Sequence, residues 1–260
     1  MRREIWIGRL GKLVQGAALA CGVSGLVGCA SLWKPEKVPP VMTARFTAVP
    51  VQIDGVLDDA AWKNAVVYPL QLSAADVEVE GKALEEAGEV RIAWDDTFFY
   101  LGVKFTDSDI VAEGQEDQLH HYLMGDLAEL FLKPANQTWY WEMYVTPMGK
   151  KTTLWFPGRG RLGLKSSEDN PGGLRVAAQS QGSCNQWEDR DTSWTGEMAV
   201  PLADLTRGGQ PFGVGAQWTI LVSRYNYSRY LPWKELSMTP QLSKTNYHLL
   251  EDYAILNLVK

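Results

Sequence analysis

From residue 43 to the C-terminus, apolar residues recur at every second position in short runs, and clusters of Gly, Pro, Asn and Asp separate the runs. No long stretch carries the 3.6-residue period of an amphipathic helix, so the pattern restricts this part of the chain to an all-β fold. Val90, Ile92 and Trp94 alternate with Arg91 and Ala93. Asp95-Asp96-Thr97 then supplies a tight turn and Phe98 to Phe105 returns, which predicts a hairpin. Further strands are expected near 44–49, 64–72, 126–133, 138–146, 150–156, 173–180, 194–200, 217–226 and 253–259, with short helical turns at 58–63 and 201–206. About ten such strands indicate a two-sheet antiparallel β-sandwich of immunoglobulin-like or jelly-roll type. One domain of this kind fits the 260-residue length.

The N-terminus reads as an address. Residues 1–12 carry Arg2, Arg3, Arg9 and Lys12, and residues 13–28 are apolar or small. A basic start followed by an apolar stretch too short to cross a bilayer is a secretion signal. It ends in Leu26-Val27-Gly28-Cys29, which resembles the bacterial lipobox, where the cysteine takes lipid and becomes the first mature residue. The competing reading is an ordinary cleaved signal or a retained membrane anchor. The expected organisation is therefore a lipoprotein signal over 1–28, a Pro-containing tether over 29–42 and a folded domain over 43–260. Ala30 stands where an inner-membrane retention signal would place Asp, so the expected destination is the outer membrane of a bacterial envelope.

Charge and cysteine use narrow the partners. Without residues 1–28 the chain keeps 21 basic and 30 acidic side chains, a formal charge of −9. Lys and Arg are not clustered, which argues against nucleic acid. With Cys21 in the signal and Cys29 lipidated, Cys184 is left alone, so no internal disulfide is expected.

The strand around 138–146 separates two faces. Trp139, Trp141, Met143 and Val145 make one apolar row, while Tyr140, Glu142, Tyr144 and Thr146 share the other face. The neighbouring strand repeats the split, with Leu130 and Leu132 on the apolar side and Glu129, Phe131 and Lys133 opposite. A face that mixes rings with carboxylates suits a sugar: carboxylates accept from hydroxyls and rings cover the C–H face. A solvated sheet face with a few amphipathic residues is the plainer alternative, and aromatic richness alone does not decide, since most of the rings must be core.

Six ordered segments resemble carbohydrate-binding module family 9: IDGVLDDAAW at 53–62, VRIAWDDTFFYLGVKFTDSD at 90–109, GDLAELFL at 125–132, WYWEMYVTPMG at 139–149, GEMAVPLADL at 196–205 and NYHLLEDYAILNL at 246–258. The resemblance implies a sugar-binding β-sandwich without catalytic apparatus. It places Glu129 on the ligand face and the family's further polar contacts on Tyr144 and Thr146, where Tyr and Thr replace Arg and Asn. The family's tryptophan clamp falls near Leu123, with Tyr122 adjacent, and on Tyr247, just before His248. The expected site therefore comprises Glu129, Tyr140, Glu142, Tyr144 and Thr146, flanked by Tyr122, Tyr247 and His248, with Arg224 adding a hydrogen bond. The expected ligand is a polysaccharide or its chain end.

Other chemistries leave fainter marks. Asp54, Asp58 and Asp59 offer oxygen ligands on a loop, which suits the structural calcium that family members often carry. The same residues are ordinary turn and cap acceptors, and no dense alternation marks a dedicated calcium loop. Glu129 and Glu142 on adjacent strands leave a glycosidase open. A haem-b electron-transfer sandwich is a further alternative, with ligands drawn from Met124, Met143, Met148 and the histidines at 120, 121 and 248. A sandwich that has lost its ligand and serves as an interaction module is the last.

Overall fold

The computed structural model describes residues 38–159 and 172–260. The signal, Cys29 and residues 30–37 of the expected tether lie outside the described residues. Twelve strands are formed: β1 (Val41–Phe46), β2 (Val67–Pro69), β3 (Gly88–Trp94), β4 (Phe98–Thr106), β5 (Leu127–Pro134), β6 (Tyr140–Val145), β7 (Lys151–Phe156), β8 (Arg175–Gln181), β9 (Ser193–Pro201), β10 (Trp218–Asn226), β11 (Glu235–Thr239) and β12 (Ala254–Val259). Three short helices, α1 (Ala60–Asn64), α2 (Ala74–Glu78) and α3 (Leu202–Leu205), join them. No helix among the described residues is long and apolar enough to cross a membrane. Strand β1 begins inside the segment read as tether, and Met42 is already core.

The β3–β4 hairpin forms as its sequence predicts. Trp94 pairs with Phe99, and Asp95 Oδ1 accepts from the backbone N–H groups of Thr97 and Phe98 at 2.7 Å each. The turn acid thereby satisfies two donors that the reversal would leave unpaired.

The two-sheet, antiparallel expectation is corrected in two respects. The strands follow one hydrogen-bonded path, β7-β6-β5-β10-β12-β1-β3-β4-β9-β8, which makes a nearly closed, barrel-like wrap instead of two separate sheets. In addition, β1 pairs in parallel with both β12 and β3. Parallel partners come from distant parts of the chain, so the strand that stitches the two halves together carries no local turn signal. The wrap encloses one main core, in which Ile92, Leu101, Trp194 and Met198 of one half meet Leu130, Trp141, Met143 and Trp218 of the other.

Segment 53–62 is fastened to β9 by one buried acid. Glu197 accepts from the backbone N–H of Asp54 at 3.0 Å, from that of Gly55 at 2.7 Å and from Trp62 Nε1 at 2.7 Å. Gly55 has φ +86°, and a Cβ there would lie 2.7 Å from the Ala178 carbonyl carbon, so only glycine fits. Asp54 Oδ1 accepts from Val56 N–H and Asp59 Oδ2 from Gln52 N–H. Those carboxylates serve the turn, and no group of three or more His, Cys, Asp or Glu among the described residues is placed to hold a metal ion.

Candidate functional site

Alternation decides which side chains of β5 and β6 leave the main core. Leu130 pairs with Met143 and faces inward, whereas Glu129 pairs with Tyr144 and Phe131 with Glu142 on the opposite face. Strand β7 adds Leu154 opposite Glu142 and Phe156 opposite Tyr140. On the other flank Ser223 of β10 pairs with Glu129, and Tyr225 follows two residues later on the same face. This face is not solvated. Phe131, Tyr140, Leu221, Met238, Leu242 and Tyr253 form a second apolar cluster upon it, and a cavity of about 480 Å³ opens above that layer.

The floor of the cavity holds Glu129, Glu142 and Tyr144, each no more than 4% exposed. Its walls come from Tyr225 and Leu236 on β10 and β11, from Phe156, and from the 245–248 loop that presents Tyr247 and His248. His120 and Tyr122 close the remaining side from a short 3₁₀ turn. The rings touch in series: Tyr122 lies 5.9 Å from Tyr225, and Tyr225 lies 5.6 Å from Tyr247. Tyr247 is itself fixed, since its hydroxyl donates to the carbonyls of Arg224 and Ser237 at 3.0 and 3.2 Å.

The two carboxylates differ in environment. Glu129 accepts from Ser223 Oγ at 2.7 Å, and burial together with the neighbouring Glu142 charge pushes its pKa well above the usual carboxylate range. Burial pushes Glu142 up to about 7, opposed by the hydrogen bond that Tyr144 donates to its Oε1. Its Oε2 is buried and accepts no hydrogen bond. The nearest basic group is His248 Nε2 at 3.8 Å. Burial lowers the His248 pKa to about 4, so the imidazole is neutral near pH 7. The other ring nitrogen, Nδ1, lies 2.8 Å from the Tyr140 hydroxyl. Glu142 Oε2 is thus an acceptor on the cavity floor that lacks a donor, and an incoming hydroxyl would supply one.

Six of the nine residues expected at the site line this cavity: Glu129, Glu142, Tyr144, Tyr122, Tyr247 and His248. Tyr140 stands behind the wall, stacked on Phe156 with ring centroids 4.9 Å apart, and reaches the cavity only through His248. Thr146 is spent on the turn after β6, accepting from Lys150 N–H at 3.1 Å. Arg224 lies on the core side of β10. It is fully buried, pairs with Asp107 at 3.0 Å and lies over the Phe105 ring, so it does not reach the cavity. Leu123, near which the resemblance put the first clamp ring, is exposed and outside the lining. Of the methionines and histidines weighed as haem ligands, Met143 lies in the main core and His248 lines the cavity across the sheet.

Sequence reasoning missed Tyr225, Phe156 and Leu236. The first two carry a period-2 signal, sharing their strand faces with Ser223 and Leu154 respectively. The third belongs to β11, a five-residue strand too short to announce itself.

Comparison with known proteins gives a consistent set of likenesses. The sequence model described as carbohydrate family 9 binding domain-like matches residues 53–220. A proposed carbohydrate-binding protein from Bacteroides uniformis superposes with a TM-score of 0.62 at 13% identity, covering 85% of this chain and 100% of that one. A family 9 carbohydrate-binding module from Caldicellulosiruptor kristjanssonii in complex with cellotriose gives a TM-score of 0.55 at 13% identity, covering 84% of this chain and 93% of that one. The same module in complex with glucose gives 0.54 at 13% identity, with 84% and 95% covered. At this identity the structural likeness is one of fold. Comparison with curated proteins gives no significant match.

Proposed function

The chain belongs to the carbohydrate family 9 binding domain-like family, and on that premise we propose that it binds carbohydrate without catalysing its turnover, in the cavity over Glu129 and Glu142. The observation that carries this reading is Glu142 Oε2, a buried acceptor without a donor on the floor of a cavity walled by aromatic rings. A sugar hydroxyl satisfies that oxygen, and the C–H faces of the ring pack on Tyr122, Tyr225 and Tyr247. The neutral His248 adds a polar edge without bringing a charge. The sugars bound by the structural neighbours, glucose and cellotriose, are of the same class. A glycan array with the full chain, followed by calorimetry on each hit, tests the reading. Glu142→Ala and Tyr247→Ala are each expected to weaken binding about tenfold or more, the loss of a charged hydrogen bond or of a stacked wall. No hit at millimolar sugar, or wild-type affinity in both variants, would overturn it.

One observation favours a second reading, hydrolysis: the cavity holds two carboxylates whose titration burial moves upward, Glu142 to about 7, a pattern that acid–base pairs share. Release of reducing ends from an array hit by wild type, and not by Glu142→Gln, would replace binding with turnover.

The Leu26-Val27-Gly28-Cys29 motif further supports anchoring at the bacterial envelope through lipid on Cys29, and Ala30, in place of a retention Asp, supports the outer membrane as destination. Cys29→Ala should move the protein from the membrane to the soluble fraction, and unchanged fractionation would remove the anchor.

A further inference from the structure

The cavity does not end at Leu236 and Thr245. Both residues also line an adjoining hollow of about 230 Å³, bounded further out by Lys82, Trp233 and Lys234. Trp233 is 55% exposed, an unusual setting for the largest side chain, shared among the described tryptophans with Trp187 at 70%. It is nevertheless held in place. Thr245 donates to Asp76, Asp76 pairs with Lys82 at 3.0 Å, and Lys82 Nζ lies 5.2 Å from the Trp233 ring centroid. A second carboxylate, Glu80, grips Lys82 at 2.6 Å, so the cation that backs the indole is anchored twice. A continuous set of contacts therefore runs from the lip of the main cavity to the exposed indole.

Lys234 joins the two hollows. It lines the outer one, while its Nζ lies 4.9 Å from the ring of Tyr225, a wall of the inner one. It donates to the Tyr227 hydroxyl at 3.2 Å, its charge reaches Glu129 on the cavity floor, and it makes no direct ion pair among the described residues, which leaves further N–H donors available. A ring platform beside an ammonium with donors to spare is the combination that recognises a pyranose: the indole covers the apolar face and the ammonium reaches hydroxyls.

We propose that this outer hollow is a second sugar subsite, with Trp233 as the platform for the unit next to the one held over Glu142, so that the protein selects oligosaccharides over free monosaccharides. The proposal rests on the carbohydrate reading of the inner cavity. Its test is calorimetry on the full chain with matched mono- and trisaccharides of the glucan, xylan, mannan, galactan and chitin types. Wild type should bind the trisaccharide of at least one series about fivefold to tenfold tighter than its monosaccharide, the size of one stacked ring. Trp233→Ala should erase that gain while leaving monosaccharide affinity unchanged, and Trp233→Phe should restore most of it. A wild type that binds both lengths equally would overturn the second subsite alone. So would a Trp233→Ala variant that keeps its length preference or weakens both lengths alike. Failure of wild type to bind any series would overturn the inner site as well.

Discussion

The carboxyl of Glu142 ties stability to pH in a way that can be measured without knowing the ligand. Burial raises its folded-state pKa from the ordinary 4.5 to about 7, so the folded protein binds this proton more tightly than the unfolded chain does. Its contribution is therefore fully present below pH 4.5 and is lost as pH rises from there to about 7. A displacement of roughly 2.5 units at 1.36 kcal/mol each amounts to about 3 kcal/mol, which is about 6 to 12 °C in Tm for a domain of this size. His248, lowered to about 4, acts in the opposite direction between pH 4 and 6.5, so the pH profile of the wild type alone is ambiguous. Subtracting the profile of Glu142→Gln removes every group that does not sense this charge, because the amide keeps the shape and does not titrate; what remains is Glu142 together with its effect on the neighbouring Glu129. Differential scanning calorimetry of both full-length proteins between pH 5 and 8 should find the variant close to wild type at pH 5 and more stable at pH 8, by an amount that levels off above pH 7. A wild-type minus variant difference that stays constant across this range would refute the argument, since it would mean that the carboxyl ionises alike in both states.

Two further perturbations probe the frame that holds the cavity. Glu197→Ala leaves the backbone N–H groups of Asp54 and Gly55 and the Trp62 indole without their acceptor, so a loss of about 3 kcal/mol in urea unfolding is expected, together with early protease cleavage inside 53–62. Wild-type resistance in that segment would show that Glu197 does not fasten it. Arg224→Met strands Asp107, which is fully buried beside it, and should cost about 3 to 5 kcal/mol. Adding Asp107→Leu should return much of that, because an apolar pair needs no compensation; a double variant as unstable as the single one would mean that the ion pair is not what stabilises this part of the core.

How far the site could be read in advance depends on the range over which each signal acts. Strand periodicity is local: successive side chains point to opposite faces wherever the backbone is extended. The division of β6 into Trp141 and Met143 against Glu142 and Tyr144 was therefore legible from the residues alone, as was the matching division of β5. The same rule, applied along β10, places Arg224 with Trp218, Ile220 and Val222 on the core face and Ser223 with Tyr225 on the other, yet a charged side chain invites the opposite assignment. What permits Arg224 in the core is Asp107, a partner 117 positions away, and no local pattern announces it.

The all-β class, the β3–β4 hairpin and the presence of Glu129, Glu142 and Tyr144 on one face can be read from the residues alone, since each follows from backbone geometry over a few positions. That this face is roofed instead of solvated emerges with the folded arrangement, because the roof is assembled from β11, the 245–248 loop and the 3₁₀ turn at His121–Leu123. The single wrapped sheet emerges in the same way, through the parallel pairing of β1 with strands that enter from both halves of the chain. Burial, and with it the upward shift of Glu142, exists only once those distant segments have closed over it: desolvation is a property of the surroundings, and the surroundings of a side chain are not written in its neighbours along the chain.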